Sequence, residues 1–140
     1  MTPLERITLL ANANGDLEDT DTLRPLVSLE DFFEGNEVVG SIGCNLYPEQ
    51  SPAAIYTALK EIRNRDDVAD VLVEITLFDD DCWPFSEKVW VLTDALPEDV
   101  LSWFDESIAP SDCWNGWSKD TAYASVRVPT DMGPIACWWD

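Results

Sequence analysis

The sequence contains no histidine and only 8 Lys plus Arg against 28 Asp plus Glu, a formal net charge of −20 over 140 residues. Without His it lacks the commonest general base at neutral pH and the usual partner of a Ser or Cys nucleophile. The shortage of cations argues against DNA, RNA and anionic membranes as direct partners, because phosphate binding rests on Lys and Arg. Neither a Gly-x-x-x-x-Gly-Lys-Ser/Thr loop nor a Gly-x-Gly-x-x-Gly turn is present, so the common phosphate-cradling signatures are missing. No stretch approaches the roughly 18 uncharged residues of a membrane helix. The apolar run in residues 7–11 is shorter than the roughly 7–15 residues of a signal-peptide core, which predicts a cytosolic protein. Cys44, Cys82, Cys113 and Cys137 lie far apart with no Cys-x-x-Cys. In a reducing compartment they are expected to be free, mostly buried thiols, with no disulfide framework, structural metal or cofactor.

What is present describes a folded domain. Hydrophobic residues make up 46% of the chain, with seven Trp, three Tyr and five Phe. That is too apolar for disorder even at this charge, and the length predicts one domain over residues 1–140. Residues 7–11 read as a short strand followed by an acidic loop over 12–21. Ser28 caps a short helix that turns Leu29, Phe32 and Phe33 inward and stops at Glu34-Gly35-Asn36. The alternation of Ile42, Cys44 and Leu46 reads as a strand over 41–46. Ser51 and Pro52 open a helix with Ile55, Leu59 and Ile62 on one face, ending at Arg63-Asn64-Arg65. Residues 68–78 read as a long strand with Val71, Val73, Ile75 and Leu77 on its buried face. A strand over 89–93 follows, then a helix capped by Asp94 and running through Phe104. Residues 122–128 and 135–139 give two final strands. This order predicts an α+β fold, a mostly antiparallel sheet of about five to six strands with two or three helices on one face.

No residue set carries a strong catalytic signature, so binding rather than turnover is expected. Asn12, Asn14 and Asp16 imitate the first ligands of a calcium loop. Leu17 and Leu23 then occupy the places where that loop needs Gly and Glu, so the pattern fails. Asp79-Asp80-Asp81 at a strand end reads as a solvated turn before it reads as a cation site. The acids are more informative as a surface. They cluster at 16–21, 30–37, 79–81 and 98–106, where they would speed encounter with a basic partner and make binding salt-sensitive. The plainer explanation is a solvating surface of the kind salt adaptation produces, or a helix-start preference for acids repeated several times. Trp83 and Trp114 lie in predicted loops beside acids, as interface anchors do. They could equally fold back as lids over the sheet, and Trp117 has the same two readings. Trp90, Trp103 and Trp138 are expected in the core or as lids. The candidate partner-binding residues are Glu34, Glu37, Asp79, Asp80, Asp81, Trp83 and Trp114.

Three phrases carry a resemblance: residues 26–36 (Leu-Val-Ser-Leu-Glu-Asp-Phe-Phe-Glu-Gly-Asn), residues 40–46 (Gly-Ser-Ile-Gly-Cys-Asn-Leu) and Trp83-Pro84-Phe85-Ser86 before a strand. They resemble small acidic bacterial immunity proteins of polymorphic and contact-dependent growth-inhibition toxin systems. The resemblance covers about residues 7–105 and transfers no functional-residue set. It implies a non-enzymatic cytosolic inhibitor that binds the C-terminal domain of a cognate toxin and blocks its active site or substrate entry. Electrostatics adds that a nuclease, with a basic substrate groove, would suit a partner of this charge. The alternative is an acidic nucleic-acid mimic that occupies a DNA- or RNA-binding protein.

Overall fold

The computed structural model describes residues 1–78, 82–118, 121, 123 and 126–140. It is an α+β fold built on one open antiparallel sheet. In chain order the elements are α1 (Pro3–Asn12), β1 (Leu26–Ser28), α2 (Leu29–Phe33), α3 (Pro52–Arg63), β2 (Val68–Glu74), β3 (Lys88–Thr93), α4 (Pro97–Ser102), β4 (Asp112–Asn115) and β5 (Gly133–Trp138). The five strands lie in the order β1-β2-β3-β5-β4, and every neighbouring pair is antiparallel.

The register sorts the sheet into two faces. Val73 pairs Val27 and Val89, Val71 pairs Val91, and Val89 and Val91 pair Cys137 and Ile135. These side chains share one core with Ile7 and Ala11 of α1, Leu29, Phe32 and Phe33 of α2, Ile55, Leu59 and Ile62 of α3, and Val100 of α4. All four described helices therefore cover the same face, where two or three were expected. The opposite face carries Leu72, Trp90, Leu92 and Ala136. No helix covers it. Trp117 lies 4.5 Å from Trp90 between ring centroids, and Tyr123 meets the same indole edge-on at 5.4 Å.

Several sequence expectations need correction. Residues 7–11 belong to helix α1, not to a strand. Thr2 Oγ1 accepts from Glu5 N–H at 3.1 Å while Glu5 Oε1 accepts from Thr2 N–H at 3.3 Å. This reciprocal cap, with Pro3 in the first turn, outweighs the strand tendency of Ile7 and Thr8. Residues 41–46 form turns, because Gly43 takes φ +67° and breaks the extended path that the alternation implied. Strand β2 ends at Glu74, and Leu77 is exposed. Asp94 does not cap α4. Leu96 occupies that position, and Asp99 Oδ2 accepts from its N–H at 3.3 Å. Two short strands, β1 and β4, were not anticipated. In the expected strand over 122–128, residues 126–128 are irregular, while Ala122, Ala124 and Ser125 lie outside the described residues. Trp138 is half-buried, and Trp139 is the fully buried member of that pair, with Nε1–H donating to Ile108 O at 3.0 Å. The thiols are free, but Cys44 and Cys82 are exposed, so they are not mostly buried.

Gly43 offers a direct check on the 41–46 turn. A Cβ there would sit 2.8 Å from Leu46 Cδ1 and 2.9 Å from Ile55 Cδ1, on a backbone with positive φ. Gly43→Ala is expected to lower stability by about 2–3 kcal/mol, the sum of left-handed strain and local overpacking. Urea denaturation measures it. A loss below about 0.5 kcal/mol would mean that the turn is not held as described.

Candidate functional site

Helix α2 is the fixed point of the acidic side. Ser28 Oγ accepts from Asp31 N–H at 3.1 Å, which starts the helix. Glu30 then takes both guanidinium nitrogens of Arg63, at 2.7 and 2.6 Å, and tethers α2 to the end of α3. Asp31 accepts from Arg6 Nε of α1 at 2.7 Å. The Phe33 ring stacks on Tyr56 at 4.9 Å. Gly35, at φ +80°, passes so close to α1 that a Cβ would lie 2.7 Å from Pro3 Cβ. Between α1 and α2 lies a groove of about 190 Å³ lined by Met1, Thr2, Pro3, Arg6, Glu30, Asp31 and Glu34.

From here residues 34–51 run without regular structure to α3. Irregular connections of this length in a compact domain are commonly functional. Its first half is nevertheless pinned. Asn36 is buried, donating from Nδ2 to Ser41 Oγ at 2.9 Å and accepting at Oδ1 from Val38 N–H at 2.9 Å. Ser41 O accepts from Ser86 N–H at 2.8 Å, and Ile42 is buried. Above this frame Val38 and Val39 are 48% and 50% exposed, and Tyr47 is 98% exposed. Glu34 and Glu37, which both precede the apolar pair, are exposed, and neither carboxylate takes a hydrogen bond or ion pair among the described residues. An apolar centre with a charged rim on a preorganised backbone is the anatomy of a protein-binding patch.

The seven candidate residues do not form one site. Glu34 and Glu37 lie on this loop. Trp83 lies beneath it, half-buried, with Nε1–H donating to Phe32 O at 3.0 Å and its ring facing Gly35. That is the geometry of a lid over the core. Trp114 sits on the other face of the sheet at edge strand β4, 5.9 Å from Trp138 in a T-shaped pair, with Lys88 Nζ 5.5 Å from its centroid. Asp79, Asp80 and Asp81 lie outside the described residues. Val38, Val39 and Tyr47 were missed because two adjacent valines and a tyrosine read as core; only the flanking Glu34, Glu37 and Gly40 hint at exposure.

The opposite face holds a buried acid that the alternation of β2 had placed toward solvent. Glu74 is 6% exposed and accepts from Trp90 Nε1–H at 2.9 Å. Burial pushes its pKa up, against the opposing pull of Lys88 and the Trp90 hydrogen bond. The Tyr123 hydroxyl nearby is buried without a hydrogen-bond partner among the described residues. Among those residues no three His, Cys, Asp or Glu side chains converge as a metal site, and no helix is long and apolar enough to cross a membrane.

The fold and these two faces define a small acidic α+β domain, helix-covered on one side of its sheet and aromatic-covered on the other. The family described as "Uncharacterized protein YfbO family" matches residues 2–137, and the chain belongs to it. A curated relative named "Uncharacterized protein YfbO", from Escherichia coli (strain K12), is 61% identical over 140 residues and covers 100% of both chains. No solved structure matches the chain.

Two substitutions separate the acids that hold the fold from those that do not. The Arg63 guanidinium holds Glu30 well below its ordinary 4.5, at about 2. Its contribution is present above the unfolded value and is lost as pH falls toward 2. Glu30 is 41% exposed, so solvent screening limits Glu30→Gln to a loss of about 1 kcal/mol at neutral pH, shrinking as pH drops below 4.5. Glu74 has the opposite sign. Its penalty is present at high pH and disappears as pH falls through the raised native value toward the unfolded one. Glu74→Gln, whose amide oxygen still accepts from Trp90, is expected to match or exceed the parent's Tm at neutral pH. That gap should close in acid. Thermal melts across pH check both, and a lower Tm for Glu74→Gln at neutral pH counts against the second.

Proposed function

We propose that this protein is an acidic binding module that neutralises a cationic protein, docking it on the 34–51 loop and the groove between α1 and α2. It acts by occupancy, without turnover and without a cofactor, and its place of action is the cytosol. One observation carries the reading: six of the eight Lys and Arg are engaged by the chain's own acids, carbonyls and rings, while Glu34 and Glu37 take no hydrogen bond or ion pair among the described residues. Arg6, Arg63 and Arg65 hold Asp31, Glu30 and Asp67. Arg24 Nη1 donates to Thr76 O at 3.1 Å. Lys60 lies 4.1 Å from the Tyr56 ring centroid, and Lys88 lies between the Trp90 and Trp114 rings. The surface left for a partner is anionic with an apolar centre at Val38 and Val39, which supports fast, salt-dependent capture of a basic protein.

The resemblance noted above gives the partner a specific form, the C-terminal domain of a bacterial toxin whose active site the module covers. Where that domain is a nuclease, its phosphate-binding groove supplies the cationic surface. Trp83, held to Phe32 O, supports the loop from below, and the direct contacts come from Glu34, Glu37, Val38 and Val39.

The test begins with a low-salt pull-down from the native cell, a salt gradient and mass spectrometry. The captured protein is then purified and titrated against variants. Glu34→Lys with Glu37→Lys is expected to weaken binding at least about tenfold and to flatten its salt dependence. The same change at Glu98 and Asp99, in the first turn of α4, should leave affinity within about twofold. A cationic toxin domain whose killing is relieved by the parent protein but not by the loop variant establishes the immunity form. Capture of a DNA- or RNA-binding protein at the same loop points instead to nucleic-acid mimicry. A partner whose affinity ignores both salt and the loop charges overturns the reading.

A further inference from the structure

Strands β4 and β5 bring two of the four thiols together. Cys113 and Cys137 are direct partners in the register, and their Sγ atoms are 3.7 Å apart, sharing a hydrogen bond. Gly116 N–H donates to Pro134 O at 2.9 Å, which fixes the alternation of this ladder. Counting back from Gly116 and Pro134, Trp114–Ala136 is a hydrogen-bonded pair and Cys113–Cys137 a non-hydrogen-bonded one. Such pairs have Cα atoms about 4.5 Å apart, inside the range of about 4.4–6.8 Å that a disulfide spans. Both side chains point to the helix-covered face. Cys137 is fully buried, whereas Cys113 on the edge strand is partly open to solvent. The hydrogen bond from Cys113 and burial together push the Cys137 thiol pKa up, and both cysteines are free in this structure.

We propose that Cys113 and Cys137 form a reversible cross-strand redox pair, oxidised by hydrogen peroxide to a disulfide that locks edge strand β4 onto β5. In the first step the Cys113 thiolate attacks a peroxide oxygen. The O–O bond breaks, one water leaves once the departing hydroxide is protonated, and Cys113 becomes a sulfenic acid. Cys137 sulfur then attacks Cys113 sulfur, an S–S bond forms, the S–OH bond breaks, and a second water leaves with the Cys137 proton. The two thiols are oxidised by two electrons, and the peroxide is reduced to two waters. A dithiol reductant reverses the change by exchange. Cys44 and Cys82 are exposed but have no thiol partner of this kind in the described residues, so the specificity comes from the register rather than from reactivity.

The experiment uses the full chain and a Cys44→Ser/Cys82→Ser variant, each treated with a modest excess of hydrogen peroxide. Neither should form covalently linked chains, and both should lose the mass of two hydrogens, with Cys113 and Cys137 linked in the peptide map. The bridge should raise Tm by about 10 °C, given the loop it closes, and slow amide exchange in β4 about tenfold. Dithiothreitol should reverse all three changes, and Cys113→Ser should abolish them. Because Cys137 is in the core, Cys137→Ala serves as a second control only if it melts cooperatively. Oxidation that stops at added oxygen, that links chains to one another, or that leaves the double-serine variant unchanged overturns the proposal.

Discussion

Strand β3 is buried along both of its faces, and the rest of the molecule is arranged around that demand. Val89 and Val91 point to the helices, while Trp90 and Leu92 point the other way, and all four are out of solvent. A strand in this position needs paired neighbours on either edge, which β2 and β5 supply. It also needs two covers. The helices provide the first by placing apolar stripes from α1 to α4 over the valines. The second is assembled from single rings, chiefly Trp117 and Tyr123. The indole nitrogen of Trp90 then requires an acceptor in a place water does not reach, and Glu74 of β2 provides it. A buried carboxylate in a −20 protein is thus a consequence of putting Trp on the central strand. Leaving that N–H unpaired would cost about 1–3 kcal/mol.

How far this was legible depended on whether local chemistry and periodicity agreed. Helices α2 and α3 and strand β3 were readable because cap, spacing and stop signals all pointed the same way. Helix α1 was not, because a β-branched and leucine-rich run masked a cap placed at the chain's second residue. The segment over 41–46 had a strand's alternation, but one left-handed glycine overrode it. Strands β1 and β4 are too short to show a period, and their existence depends on partners far along the chain. The same limit governs the candidate site. Glu34 and Glu37 were readable as exposed acids after a helix. That Trp83 and Trp114 stand on opposite faces of one sheet follows from strand order, which no local pattern encodes. The exposure of Val38 and Val39 depends on Asn36 and Ser41 turning the backbone outward, and apolar residues give no sign of that in sequence.

Acidity alone does not distinguish a binding surface from a solvating one, but the location of each acid in its element separates the acids that a helix favours from those it does not. Glu5 in α1, Glu30 and Asp31 in α2, and Glu98 and Asp99 in α4 lie in first turns, where free N–H groups and the helix dipole favour negative charge. The fold itself accounts for them. Glu34 is at the C-terminal end of α2 and Glu37 just beyond, where the same dipole disfavours a carboxylate and exposed carbonyls add to the repulsion. Neither carboxylate forms an ion pair among the described residues; Arg6, which attracts Glu34 through space, is already bonded to Asp31, and Arg63 to Glu30. A sequence shaped only by stability would put a Lys or Arg in these places. Retaining two acids without an ion-pair partner at the C-terminal end of a helix, beside two exposed valines on a pinned backbone, is a small local cost. Bringing a basic partner's charge to that face would recover it.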